Sequence, residues 1–215
     1  KYDHLRKGMV GAVLNVKGTE NVRKLQEIAV KETRLGIPLL FGYDVIHGHK
    51  TLFPIPLGEA ASWDLAAIET SARTAAIEAS AAGINWTFAP MVDITRDARW
   101  GRVMEGAGED TYLGTKIGLA RIKGFQGDDL AANNTIIACA KHFAGYGFAE
   151  AGRDYNTVDV GTSTLYNTIL PPFKAAVEAG VQTVMNSFNT LNGVPATGNK
   201  WLQRDILKDA WKFNG

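Results

Sequence analysis

The sequence predicts an α/β fold with parallel strands, and three observations carry that prediction. Short apolar runs alternate with stretches of helical length and periodicity along the whole chain. No run is followed by G-x-G-x-x-G or G-x-x-x-x-G-K-[ST], the glycine-rich phosphate loops of dinucleotide and P-loop folds. Polar residues stand just past successive runs, at Asp44, Asp93, Lys141-His142 and Asn186.

Residues 9–16, Met-Val-Gly-Ala-Val-Leu-Asn-Val, read as a strand buried on both faces and ended by Lys17-Gly18. Thr19 or Asn21 caps a helix to about Arg34, with Val22, Leu25, Ile28 and Ala29 on one stripe. Gly36 breaks it and residues 37–43 resume as a strand, completing one β-α-β unit. A helix over 64–82 offers an alanine-rich face for close packing, and after Gly83 the strand 84–89 leads to Met91-Val92-Asp93. A third helix spans about 110–126, followed by a fourth strand at 136–140 that ends in Lys141-His142. The helix expected over 163–178 contains Pro171-Pro172, so it breaks or restarts there. A fifth strand at 182–186 and a helix around 200–211 complete the pattern.

Helical crossovers of this length join parallel strands in the right-handed sense. An open doubly wound sheet and a closed barrel both place polar groups at the carboxyl ends of strands. The missing phosphate fingerprint and the recurrence of such groups favour the barrel. The expected fold is a (β/α)8 TIM-type barrel of which residues 1–215 hold about five of the eight β/α units. The terminal Lys212-Phe213-Asn214-Gly215, where a Gly after a helix introduces a further element, predicts a partial domain of a longer polypeptide.

Composition excludes several classes of function. With 23 Lys and Arg against 22 Asp and Glu, the net charge of +1 gives no field for nucleic acid or an anionic membrane surface. The longest apolar runs fall far short of the roughly 20 residues of a membrane span. A signal peptide is absent from the given chain or already removed. Cys139, the single cysteine, lies in an apolar run, which predicts a buried structural thiol and no internal disulfide.

Asp44 is a carboxylate delivered abruptly by the apolar strand Leu39-Leu40-Phe41-Gly42-Tyr43; such an Asp also serves turns and caps. Lys141-His142 ends an apolar run with two cationic groups, a costly placement unless acids or ligand oxygens satisfy them. Their donors suit sugar hydroxyls or phosphate, and a structural ion pair is the competing reading. His47-Gly48-His49 lacks a third ligand of evident spacing, so no metal is expected. Among Arg96, Arg99 and Arg102, at least one could grip a polar ligand while the others pair with Asp93, Asp97, Glu105 or Glu109.

Four ordered motifs then carry a resemblance. They are Leu39-Leu40-Phe41-Gly42-Tyr43-Asp44-Val45-Ile46-His47-Gly48, Arg96-Asp97-Ala98-Arg99-Trp100-Gly101-Arg102, Gly108-Glu109-Asp110-Thr111-Tyr112-Leu113 and Lys141-His142-Phe143-Ala144-Gly145-Tyr146-Gly147. In this order they resemble the N-terminal barrel domain of glycoside hydrolase family 3, and Glu150-Ala151-Gly152-Arg153-Asp154-Tyr155 is similar to its bacterial β-glucosidase branch. The resemblance implies a retaining exo-β-glucosidase acting on terminal non-reducing β-D-glucosyl residues, periplasmic or secreted, with no cofactor and with the remainder of the parent polypeptide as partner. It implies substrate-binding roles for Asp44, as an acceptor for two sugar hydroxyls, and for Arg102, Lys141 and His142 as donors. Met185 and Phe188 become pocket contacts, Phe188 standing where many members have Tyr. The nucleophile Asp and the acid/base Glu are expected after Gly215. A β-xylosidase, a β-N-acetylglucosaminidase, a non-catalytic sugar-binding relative and a phosphate-handling barrel enzyme with a Schiff-base Lys141 are the competing readings.

Overall fold

A computed structural model describes residues 2–215. Five parallel strands form its spine: β1 (Ala12–Leu14), β2 (Leu40–Tyr43), β3 (Trp86–Thr87), β4 (Cys139–Phe143) and β5 (Thr183–Asn186). β1 pairs with β2, β2 with β3, and β4 with β5, all parallel. Parallel bridges Trp86–Ile137 and Met91–Lys141 join the segment around β3 to that around β4. The spatial order therefore equals the sequence order. A doubly wound sheet reverses its order at a switch point, whereas an unbroken sequential order is that of a (β/α) barrel.

One short helix precedes the strands and the others lie between them. The helices are α1 (Asp3–Arg6), α2 (Thr19–Glu27), α3 (Pro56–Ala60), α4 (Leu65–Ala81), α5 (Thr111–Gln126), α6 (Thr162–Thr164) and α7 (Leu170–Glu178). Asp64 and Asp110 cap α4 and α5, each side chain accepting from the backbone N–H three residues on. Along α4, Ala72, Ala75, Ala76 and Ala79 are all buried. They let α5 approach so closely that a Cβ on Gly124 would lie 2.6 Å from that of Ala72. With Ile122, Phe125, Phe143 and Phe173 they form the main core, which sits between the helices and the strands β3 to β5.

Several expectations need correction. The expected double burial of β1 fails, because Ala12 and Leu14 are exposed and only Val13 is partly covered; among the described residues β1 pairs on one side only, with β2. Gly18, not Thr19 or Asn21, occupies the cap position of α2. That helix continues into a π-helical turn, Ile28–Glu32, and a second π-helical turn, Leu165–Ile169, precedes Pro171. The wider turn serves the expected restart, since Pro171 and Pro172 fall in the first turn of α7, where a missing N–H costs nothing. The last helix, Trp201–Ala210, is π-helical throughout. A small antiparallel hairpin, β6 (Thr190–Leu191) with β7 (Val194–Pro195), follows β5 and was not signalled by the sequence.

The fourth strand is displaced most. It runs from Cys139 to Phe143, every residue buried, so Lys141 and His142 lie inside the strand rather than past it. Cys139 is buried as expected, and burial pushes its thiol pKa up to about 11.

Candidate active site

Lys141 and His142 are 2% and 1% exposed, and each is matched by an acid from a different segment. The Lys141 Nζ lies 3.4 Å from Oε2 of Glu105 and 3.9 Å from Oδ1 of Asp44. Arg102 donates two parallel hydrogen bonds to the same Glu105, from Nε at 2.6 Å and from an Nη at 2.9 Å. Glu105 is thus an anion shared by two cations, with a bidentate fork on one side. Asp44, just past β2, keeps its side chain 56% exposed at the edge of this cluster.

His142 faces Asp93, which stands just past the β3 segment. One Asp93 oxygen, Oδ2, accepts from the His142 backbone N–H at 2.8 Å and faces ring Nδ1 at 2.9 Å. With Nδ1–H donating to Asp93, the other ring nitrogen, Nε2, is free to meet a ligand. It accepts when the ring is neutral and donates when the ring is charged.

An aromatic wall closes the other side. The Arg102 guanidinium lies over the Tyr146 ring at 5.6 Å, and Tyr146 meets His142 at 5.1 Å and Phe188 at 5.7 Å. Trp100 packs edge-on to Tyr146 at 5.0 Å and donates its indole N–H to Asp154 at 2.9 Å. Met185 on β5 is the direct neighbour of Lys141 in the parallel register. The six residues singled out from the sequence, Asp44, Arg102, Lys141, His142, Met185 and Phe188, therefore form one contiguous group at the carboxyl ends of β2 to β5.

The charges are held firmly. Burial opposes ionisation of both Glu105 and Arg102, but their mutual hydrogen bonds outweigh it, so Glu105 titrates below the 4.5 of a free glutamate and Arg102 above its ordinary value. A carboxyl with a depressed folded pKa adds stability above its unfolded pKa and loses it as pH falls through the folded value. Glu105→Gln is accordingly expected to lower stability at neutral pH and to flatten the loss of stability below about pH 4.5. Urea unfolding at pH 7 and at pH 4 reads this directly; equal acid losses in both proteins would show that Glu105 does not carry the effect.

With this geometry in view, comparison with known proteins is decisive. Residues 1–215 match the glycosyl hydrolase family 3 N-terminal domain along their whole length. The chain belongs to glycosyl hydrolase family 3. It is 46% identical over 211 residues to a periplasmic β-glucosidase of Salmonella typhimurium, covering 98% of this chain and 28% of that protein. A β-xylosidase of Formosa agariphila is 37% identical over 209 residues, covering 91% and 29%. The β-glucosidase of Listeria innocua solved with isofagomine superposes with a TM-score of 0.94 at 47% identity, covering 99% of this chain and 30% of that one. The chain thus spans less than a third of the length of these relatives.

Within the family domain, some residues of the cluster escaped the sequence reading. Glu105 stood among four acids able to pair with the arginines, and no spacing rule singled it out. Asp93 was among the carboxylates proposed for the arginines, and it serves His142 instead. The remaining pairings are ordinary: Arg99 binds Asp97, holding that carboxyl down at about 2, and Arg96 lies over Phe148. Trp100, packed on Tyr146, also anchors Asp154. His47 Nδ1 lies 3.1 Å from the Phe53 carbonyl, and His49 rests edge-on against Tyr43.

Proposed function

We propose that this chain supplies the sugar-binding part of a retaining exo-β-glucosidase. The observation that carries the reading is the convergence of one half-exposed carboxylate, Asp44, with Lys141, Arg102 and His142 at the strand ends. Vicinal sugar hydroxyls are paired donors and acceptors. A carboxylate accepts from two of them, while a lysine, a guanidinium and an imidazole meet their neighbours. Phe188 and Met185 offer apolar surface to the C–H faces of the ring. Such a set holds a terminal β-glucosyl unit for attack at its anomeric carbon.

Retention requires two carboxyl groups about 5 to 5.5 Å apart, one forming a glycosyl-enzyme and the other protonating the leaving oxygen. We assign neither to residues 1–215. Residues 1–215 are then a partial N-terminal barrel domain, and the parent polypeptide, periplasmic like its Salmonella relative, provides both carboxyl groups. Glucose is favoured over xylose because identity is higher to the β-glucosidases than to the β-xylosidases.

The test compares the full-length polypeptide with residues 1–215 on aryl β-glucoside and aryl β-xyloside. The expected result is turnover of the glucoside by the full-length protein and none by residues 1–215, because binding groups alone form no covalent intermediate. Comparable rates would place the catalytic carboxylates inside this chain. Preference for the xyloside would move the substrate assignment to the β-xylosidase branch.

A further inference from the structure

Asp44 is held by its backbone rather than by its own carboxylate. Among the described residues its side chain makes no hydrogen bond, and its ion-pair partner, the Lys141 Nζ, is 3.9 Å away. Its aim therefore depends on the segment that carries it, the irregular stretch from the end of β2 to the start of α3. The upstream side is secured by the sheet, where Tyr43 pairs with Thr87. On the downstream side two ties reach the interior. The Val45 N–H donates to Oγ1 of the buried Thr87 at 3.1 Å, and the Ile46 carbonyl accepts from an Nη of Arg121. Beyond Ile46 the next bonds run within the segment, from the Phe53 N–H to the His47 carbonyl at 3.0 Å, or from the exposed Lys50 and Thr51 to Glu78 on α4.

Arg121 closes this segment at both ends. It lies inside α5, with one nitrogen on Ile46 near the start of the segment and the other on Glu59 of α3, just after its end. A buried ion pair is weak evidence for stability, because two packed apolar side chains of similar size avoid the cost of desolvating both charges. What an apolar pair cannot do is donate to a backbone carbonyl. The guanidinium carries its donors in a rigid fork, so one group holds Glu59 and Ile46 at a fixed angle to each other. Glu59 fixes the fork, and the fork fixes the peptide two residues past Asp44.

We propose that Arg121, braced by Glu59, is a positioning residue for Asp44: it touches no substrate and sets, through the Ile46 carbonyl, where the Asp44 carboxylate stands against the sugar. This rests on the β-glucosidase reading of the site.

The test is a double-mutant cycle in the full-length polypeptide, read as kcat/KM on an aryl β-glucoside alongside the melting temperature. Glu59→Leu with Arg121→Met removes the fork and leaves a packed, uncharged interior. The melting temperature is expected to stay near wild type while kcat/KM falls by about tenfold or more. The same two substitutions made on Asp44→Ala are expected to cost less than about twofold further, because residues that act through one another are not additive. Arg121→Lys keeps a cation for Glu59 but not the fork, and the same split is expected of it should the apolar pair fail to fold. Wild-type kcat/KM in a folded apolar variant overturns the assignment, since the Ile46 tie would then be idle. So does an equal loss with and without the Asp44 carboxylate, which would mark a structural effect that does not pass through it. A wild-type polypeptide inactive on the glucoside would instead defeat the β-glucosidase reading itself.

Discussion

Replacing Asp44 by Ala in the full-length polypeptide is expected to lower kcat/KM for an aryl β-glucoside by about 4 kcal/mol, roughly a thousandfold, with little change in stability. The estimate follows from two charge-assisted hydrogen bonds to sugar hydroxyls, each worth about 1.5 to 3 kcal/mol when the partner is desolvated. Stability is spared because the Asp44 side chain is half exposed and stands 3.9 Å from Lys141, a long separation for an ion pair. Lys141 retains Glu105 as its nearer counter-charge at 3.4 Å. Steady-state kinetics and a thermal melt on the same preparation separate the two effects. Wild-type kinetics would make Asp44 a turn residue, and a collapsed melting temperature would make it a structural one.

Glu59→Ala is expected to act chiefly on stability, destabilising the barrel by about 3 to 5 kcal/mol through a buried ion pair that is not itself part of the sugar cluster. Glu59 on α3 and Arg121 on α5 form an ion pair at 2.5 Å with both side chains almost wholly buried, 6% and 4% exposed. Arg121 also donates to the Ile46 carbonyl and lies over the Phe125 ring at 5.6 Å. Burial pushes the guanidinium pKa down, against the pull of Glu59, which shows how much the charge depends on that partner. Removing Glu59 strands a cation in the interior, at a cost comparable to a large part of a domain's total stability of about 5 to 15 kcal/mol. Urea unfolding measures the loss. Combining Glu59→Leu with Arg121→Met should recover most of it, since a packed apolar pair has no charge to desolvate. A single variant within about 0.5 kcal/mol of wild type would mean that water reaches the pair.

The order of elements was legible because each strand is a short apolar run and each helix a longer periodic one, and the starts expected near 64 and 110 fall on the residues that cap α4 and α5. Register was less legible. Residues 136–140 are uniformly apolar, so the run placed the fourth strand early, although the sheet pairs Lys141 with Met185 and buries it. A buried lysine contradicts any hydropathy rule until its counter-charge is known, and Glu105 lies 36 positions away on another segment. The exposure of β1 was illegible for the same reason, because covering depends on neighbours that a local window does not contain. Motifs named Asp44, Arg102, Lys141 and His142; Glu105 and Asp93 lie outside them, and only tertiary structure showed which acid serves which base.

The sequential strand order also bears on how the fold assembles. The pairs Ala12–Leu40, Gly42–Trp86, Trp86–Ile137 and Cys139–Thr183 close loops of 28, 44, 51 and 44 residues. Loop-closure entropy grows with the logarithm of length, so the shortest and longest differ by only about 0.5 kcal/mol. Chain entropy therefore expresses almost no preference for which neighbours pair first. That choice falls to side-chain packing, and the close contact of α4 with α5 gives the β2-to-β4 stretch the advantage at little entropic disadvantage.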